Sequence, residues 1–314
     1  MIKDMKQIIA YIREFATDPF QRSILQKEIC RKPTSDPEVN ASKWYRQLAD
    51  EQMQNGSWGR FHTQDTKNKT KRKFITTEQA LRRIKDLSLE KDDVLVSRSI
   101  ALMERYLRGD EAWTDNMEKH YGFETAFKTI IAANLSLFDS HNCLIDHKRE
   151  IAAKNMTKAC QTGCFDEETW EQENLNDNEI LLRAYMVHIL WLLQYENCIS
   201  DTVQRQYLYY IWHREKGIYY ISNSPVTEVR PLESKEFTMW LSSLEALCGF
   251  SLFPEFMCGR TVTHLYNEIN RLIYDDVNLP PSSGIIGHYS ENRSGQHTRR
   301  NDMILRIARI LVKC

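Results

Sequence analysis

Residues 48–59 read Leu48-Ala49-Asp50-Glu51-Gln52-Met53-Gln54-Asn55-Gly56-Ser57-Trp58-Gly59. Leu48, Gln52, Gly56 and Trp58 fall in the pattern L-x3-Q-x3-G-x-W, and Gly59 follows directly. Leu48 shares the apolar face of a helical stretch from about 40 to 54 with Trp44 and Tyr45. A polar segment, Thr63 to Lys73, comes next and has the Lys- and Asn-rich composition of an exposed loop.

On either side of this stretch, apolar residues recur at helical spacing almost everywhere. Ile2, Met5, Ile8, Ile9, Ile12 and Phe15 mark a first helix, ended by Thr17-Asp18-Pro19. Thr76 precedes Gln79 by three, a capping-box spacing that starts a helix through Leu87. Asp92 is placed to cap a helix over 92–108 that Gly109 stops. Phe123, Phe127, Ile130, Ile131, Leu135 and Phe138 define a strongly amphipathic helix. Asp166 and Ser200 read as further N-caps, and Asn301 or Asp302 as the cap of the last helix. The stretch 178–197 is apolar nearly all round and is expected as a long central helix. Only Gly217 to Ile221 looks β-like, and helices near 234–248, 260–274 and 302–313 complete the chain.

Composition agrees with a helical globule. Hydrophobic residues make up 42% and charged ones 27%, and eleven Gly with eight Pro are too few for the tight turns of an all-β sandwich. Forty-two Lys and Arg nearly balance forty-three Asp and Glu, so no nucleic-acid partner is expected. The run Lys67, Lys69, Lys71, Arg72, Lys73 has no interleaved aromatic residues and reads as a solvated loop. Met1 to Phe20 mixes charges into its apolar residues, unlike a signal peptide, and no run approaches the roughly eighteen apolar residues of a transmembrane segment. The eight scattered cysteines are expected as reduced thiols in a cytoplasmic protein.

About a dozen helices with short connections form either an open solenoid or a closed ring. Here the 48–59 pattern discriminates. It resembles the QW repeat of the terpenoid cyclase and protein prenyltransferase superfamily, whose domains are α/α toroids. The resemblance implies a single all-α toroid domain over 1–314, built of about six helical hairpins. It also implies roles in which Gln52 hydrogen-bonds exposed backbone groups near a helix terminus, Trp58 stacks over it and Gly56 permits the turn. Such a clasp is structural, because helix ends leave backbone groups unsatisfied.

Cyclase activity of that family would need a D-x-D-D acid element. Asp92-Asp93 and Asp275-Asp276 are the nearest approaches, and neither matches. Asp275 and Asp276 follow a helix end, where the macrodipole disfavours negative charge, which makes them the candidate catalytic carboxylates. The prenyltransferase branch would need zinc. His141, Cys143, Asp146 and His147, with Cys160 and Cys164 downstream, supply ligand types in the spacing of no closed zinc module, so neither metal nor cofactor is expected. Aromatic density between 185 and 220, with His188 and His213, offers a lining for a cation, sugar or lipid pocket or simply a core. Tyr185, His188, Trp191, Tyr209 and Trp212 are the candidate ligand-binding residues on this stretch. Arg293 and Arg299, in the loop before the last helix, are candidates for binding a phosphate or carboxylate.

The functional expectation is a prenyltransferase- or squalene-cyclase-like toroid that binds or transforms a small hydrophobic, isoprenoid-like ligand. The opposing expectation is a non-catalytic helical interaction protein on the same scaffold. A cavity faced by a carboxylate or histidine favours the first.

Overall fold

The computed structural model describes residues 4–33, 36–65, 67, 71–113, 115, 122–257, 259–280, 286–292 and 295–313. The protein is all-α. Among the described residues there are fourteen α-helices and no strand. They are α1 (Met5–Phe15), α2 (Pro19–Ile24), α3 (Lys43–Glu51), α4 (Thr77–Asp86), α5 (Val94–Arg108), α6 (Phe123–Ser136) and α7 (Cys143–Ala159). There follow α8 (Glu167–Asp177), α9 (Val187–Leu193), α10 (Asp201–His213), α11 (Lys235–Leu247), α12 (Phe253–Met257), α13 (Arg260–Tyr274) and α14 (Gln296–Leu311). None is long and apolar enough to cross a membrane.

The helices start and stop where local chemistry dictates. Thr76 Oγ1 accepts from the Gln79 N–H at 3.2 Å, and the Gln79 side chain reaches back to the Ile75 N–H. Asp166 and Ser200 cap α8 and α10 as expected. The cap of α5 is Asp93, whose carboxylate accepts from the Leu95 N–H, and Asp92 lies one residue outside. Gly109 ends α5 in the left-handed region, at φ 83°.

The long helix expected over 178–197 is replaced by the seven-residue α9. Asn178 and Leu181 both adopt positive φ, which no helix tolerates, so the apolar run enters as an irregular segment. Leu181 is seated against Gly122, where any Cβ would come within 2.2 Å of its side chain. The β-like stretch forms a single parallel bridge, Met186 with Tyr219.

The chain divides into two compact units. The first comprises 1–50, 86–88 and 227–314; the second comprises 51–85 and 89–226. In the first unit α14 is the central element, packed by α1, α11 and α13. Its buried faces carry Ile304, Leu305, Ile307, Ala308 and Ile310. It begins at Gln296, so Asn301 and Asp302 lie inside it and do not cap it. Asp302 instead gathers donors from the 289–290 backbone, the Ser290 hydroxyl and Gln21. In the second unit α6 and α7 pack together, α6 against α5 and α9, and α7 against α8, α9 and α10.

Candidate functional site

The second unit holds a cavity of about 520 Å³. Phe123, Ala126, Phe127 and Ile130 of α6 form one wall, and Leu181, Leu182, Tyr185 and Met186 form another. Tyr219, Tyr220, His62 and Thr63 complete it, and Arg183 supplies a charge. Arg183 is ion-paired with Glu171.

His62 reaches this cavity because the 58–63 loop is fastened at both ends. The Asp115 carboxylate accepts from the Phe61, His62 and Thr63 N–H groups at 2.7, 2.8 and 2.6 Å. The first N–H groups of α4, orphaned at any helix start, donate to the same loop: Thr77 to the Arg60 carbonyl and Glu78 to the Phe61 carbonyl. Glu78 therefore stands beside His62, in a first turn whose dipole favours a carboxylate.

Glu78 organises the polar end of the cavity. Its Oε2 lies 2.6 Å from His62 Nδ1, and its Oε1 lies 2.7 Å from His188 Nε2. Arg82 donates to Oε1 at 3.1 Å. Burial alone would raise this carboxyl, but His188, His62 and Arg82 outweigh it and hold Glu78 well below the ordinary carboxylate value. Burial keeps His188 below the ordinary imidazole value against the pull of Glu78.

These charge states fix the direction of the hydrogen bonds. Ionised Glu78 only accepts, so His62 Nδ1–H and His188 Nε2–H donate. With Nδ1 committed to Glu78, the other ring nitrogen of His62, Nε2, faces the Tyr220 hydroxyl 3.0 Å away. Arg82 also donates to the Tyr220 carbonyl at 3.1 Å, so Tyr220 is gripped by both of these Glu78 partners. His188 Nδ1 is buried without a hydrogen-bond partner.

Among the described residues, His62, Glu78 and His188 are the one group with donor atoms close enough to share a metal ion, all within 4.8 Å. Their geometry is that of hydrogen bonding. Ligands at about 2.0–2.1 Å from a tetrahedral zinc stand roughly 3 Å or more apart, wider than the 2.6 and 2.7 Å contacts here. Arg82 already supplies the cation that balances Glu78. The zinc-type residues noted in the sequence are dispersed. His141 bonds the Tyr195 hydroxyl, Asp146 pairs with Arg149, and His147 lies 3.6 Å from Glu179. Cys143 and Cys164 are exposed, whereas Cys160 is buried.

Of the aromatic candidates, Tyr185 lines the cavity, with the Arg214 guanidinium 3.5 Å from its ring centre. Trp191 packs edge-on to His188 at 5.4 Å, under the Arg82 guanidinium. Trp212 is a buried core residue of α10, and Tyr209 is exposed, with its ring on His213. In the first unit, Asp275 and Asp276 are exposed after α13, and neither lines the cavity. Arg300 neutralises that helix end, donating to the Asp275 and Val277 carbonyls and to the Asp276 carboxylate. Arg299 is half-buried on α14; Arg293, like Cys258, Cys314 and Lys69, lies outside the described residues.

In the second unit Gln52 donates to the Leu95 and Gly56 carbonyls and to Ser99 Oγ, at 2.9, 3.3 and 3.2 Å. Gly56, at φ 94°, rests so close to α5 that a Cβ would stand 2.3 Å from the Arg98 carbonyl oxygen. Trp58 is buried and its N–H donates to Thr77 Oγ1; Leu48 is fully buried in the first unit.

His62, Glu78 and Tyr220 were not selected by sequence reasoning as site residues. The available signals were the position of His62 four residues past Trp58 and of Glu78 two residues after the Thr76 cap. No protein-family model, curated protein or solved structure matches this chain.

Proposed function

We propose that this chain is a helical protein of the terpenoid cyclase and prenyltransferase type, cytosolic, that binds a hydrophobic, isoprenoid-like ligand in the cavity of its second unit. The cavity carries the proposal. Its volume of about 520 Å³ falls within the range of roughly 300–1,000 Å³ common to small-molecule sites. Its lining combines aromatic and aliphatic side chains with the polar groups of His62, Thr63, Arg183 and the tyrosine hydroxyls in nearly equal measure. That pattern suits a ligand with a long apolar body and one polar end.

The chemistry departs from proton-initiated cyclisation. An alkene-protonating acid must hold its proton, whereas Glu78 is held ionised by its histidines and Arg82. The resemblance at Gln52, Gly56 and Trp58 therefore supports the scaffold, and the site supports binding with a basic end group. The competing reading, a non-catalytic interaction protein, draws on exposed Leu175 and Tyr209. These are single side chains of the kind any soluble surface carries.

The test is titration of the full chain with farnesol by calorimetry, comparing the wild type with Ala126→Trp. Ala126 is a half-buried wall residue, and an indole there occupies the ligand volume. Saturable binding that weakens at least about tenfold in the variant, with unchanged circular dichroism, supports the proposal. Binding that is absent, or indifferent to the filled cavity, contradicts it.

A further inference from the structure

Tyr220 combines three features that ordinary packing does not require together. Its φ is +70°, in the left-handed region where a bulky residue is an outlier. The residue is 41% exposed and lines the cavity. That hydroxyl is also hydrogen-bonded to His62, whose other nitrogen is bonded to buried Glu78. Backbone strain held in place at a cavity, here by Arg82 on the Tyr220 carbonyl, points to a functional constraint.

We propose that Tyr220 is a catalytic general base for a hydrophobic ligand bearing a weakly acidic hydroxyl, a phenol or enol, with His62 and Glu78 as its positioning residues. This rests on the ligand-binding reading of the same cavity. The ligand O–H bond breaks and its proton bonds to Tyr220 Oη, while the Tyr220 O–H bond breaks and that proton bonds to His62 Nε2. The electron pair of the broken ligand bond stays on the ligand oxygen, leaving an oxyanion. Glu78 accepts from the resulting imidazolium at Nδ1, as a carboxylate does behind the histidine of a hydrolase triad. No redox partner or metal enters the step.

The titratable and charged groups around His62 are consistent with that direction of transfer. They are Glu78 at 2.6 Å, the Tyr220 hydroxyl at 3.0 Å and the Asp115 carboxylate on its backbone N–H. The His188 ring stands 6.0 Å away, and Arg82 is bound to Glu78. Two carboxylates thus flank the histidine that gains the proton.

The experiment uses 2-naphthol, a hydrophobic phenol whose neutral and ionised forms emit at different wavelengths, added to the full chain near pH 7. Excitation is through ground-state absorbance bands, so that ionisation before excitation is read. The wild type is expected to bind naphthol with a clear naphtholate band. Tyr220→Phe, with naphthol raised to saturation, is expected to lose that band, and His62→Gln to weaken it. A purely structural role for Tyr220 would leave the band in the phenylalanine variant and overturn the proposal. Naphthol bound only in its neutral form by the wild type overturns the general base while the ligand-binding reading stands. No binding at all sinks both. Stoichiometric zinc on the purified protein, lost in His188→Ala, also overturns it, because a metal would replace the proton between His62 and Glu78.

Discussion

Glu78 Oε1 and His188 Nε2 lie 2.7 Å apart, and both side chains are buried. One residue opens α4 and the other lies in the first turn of α9, so a single charge-assisted contact ties two helix starts together 110 positions apart in the chain. Such a bond is strong only while both ends are satisfied. Glu78→Ala leaves two imidazoles and Arg82 without their acceptor. The expected loss is about 3–5 kcal/mol of unfolding free energy, read by urea denaturation. A loss under about 1 kcal/mol would mean that solvent replaces the carboxylate freely.

The same pair sets an acid limit. Folded His188 sits below its ordinary value, so from about pH 6.5 downward the unfolded chain binds a proton that the folded chain refuses. Folded Glu78 sits well below its ordinary value, and Glu28 is lowered too. Both carboxylates therefore contribute stability that is present above about pH 4.5 and lost as pH falls through their folded values. Urea midpoints should decline from pH 7 to 6, then fall again below about pH 4.5. A flat profile between pH 7 and 4 would be incompatible with these charge states.

Gly56 should tolerate no side chain. Gly56→Ala combines a positive φ with a Cβ driven into the Arg98 carbonyl, and α5 backbone cannot yield as a flexible side chain would. The expected cost is about 2–4 kcal/mol, measured as a lower urea midpoint. Gly109→Ala keeps the positive φ but meets nothing within 4 Å, so about 1 kcal/mol is expected. Equal costs at both positions would remove the argument from close approach.

In the first unit Arg309 links three partners, of which Asp86 and Tyr289 are buried and Glu28 is half-buried. It donates to both Glu28 oxygens at 2.8 Å, to the Asp86 carbonyl at 2.9 Å and to the Tyr289 hydroxyl at 2.7 Å. Arg309→Ala should destabilise by about 3–5 kcal/mol by stranding Glu28. Tyr289→Phe, which removes one hydroxyl, should cost about 1–2 kcal/mol. A milder effect for the arginine than for the tyrosine would refute this ordering.

Thiol reactivity should separate by burial. Cys160 and Cys198 are pushed up to about 11 by burial, while Cys143 and Cys164 are exposed. Because the thiolate is the nucleophile, a thiol reagent at pH 8 should label Cys143 and Cys164 first, read by peptide mass spectrometry. Early labelling of Cys160 would show that its helix opens readily.

Sequence legibility followed the range of the interactions. Thr76, Asp166, Ser200 and Gly109 were readable as helix boundaries because caps act over three or four residues. The apolar run at 178–197 misled because hydrophobicity says nothing about φ, and Asn178 and Leu181 break the helix by backbone conformation alone. Asp302 looked like a cap but serves the 289–290 backbone, a partner fixed only by how the last loop folds back. Tyr185, His188 and Trp191 were identifiable as an aromatic cluster. Their connection to Glu78 and His62 was not, since no local rule pairs positions so far apart. Asp275 and Asp276 attracted attention through an unfavourable helix end that Arg300 in fact neutralises.

If the cavity lined by α6, the 181–186 segment and Tyr220 is a ligand site, crystals of the full chain grown with farnesol will show electron density for the isoprenoid chain along Phe127, Ile130 and Leu181, with its hydroxyl about 3 Å from Tyr220 Oη. A cavity closed by inward rotation of Leu181 and Tyr185, or farnesol seated elsewhere on the protein, would contradict it.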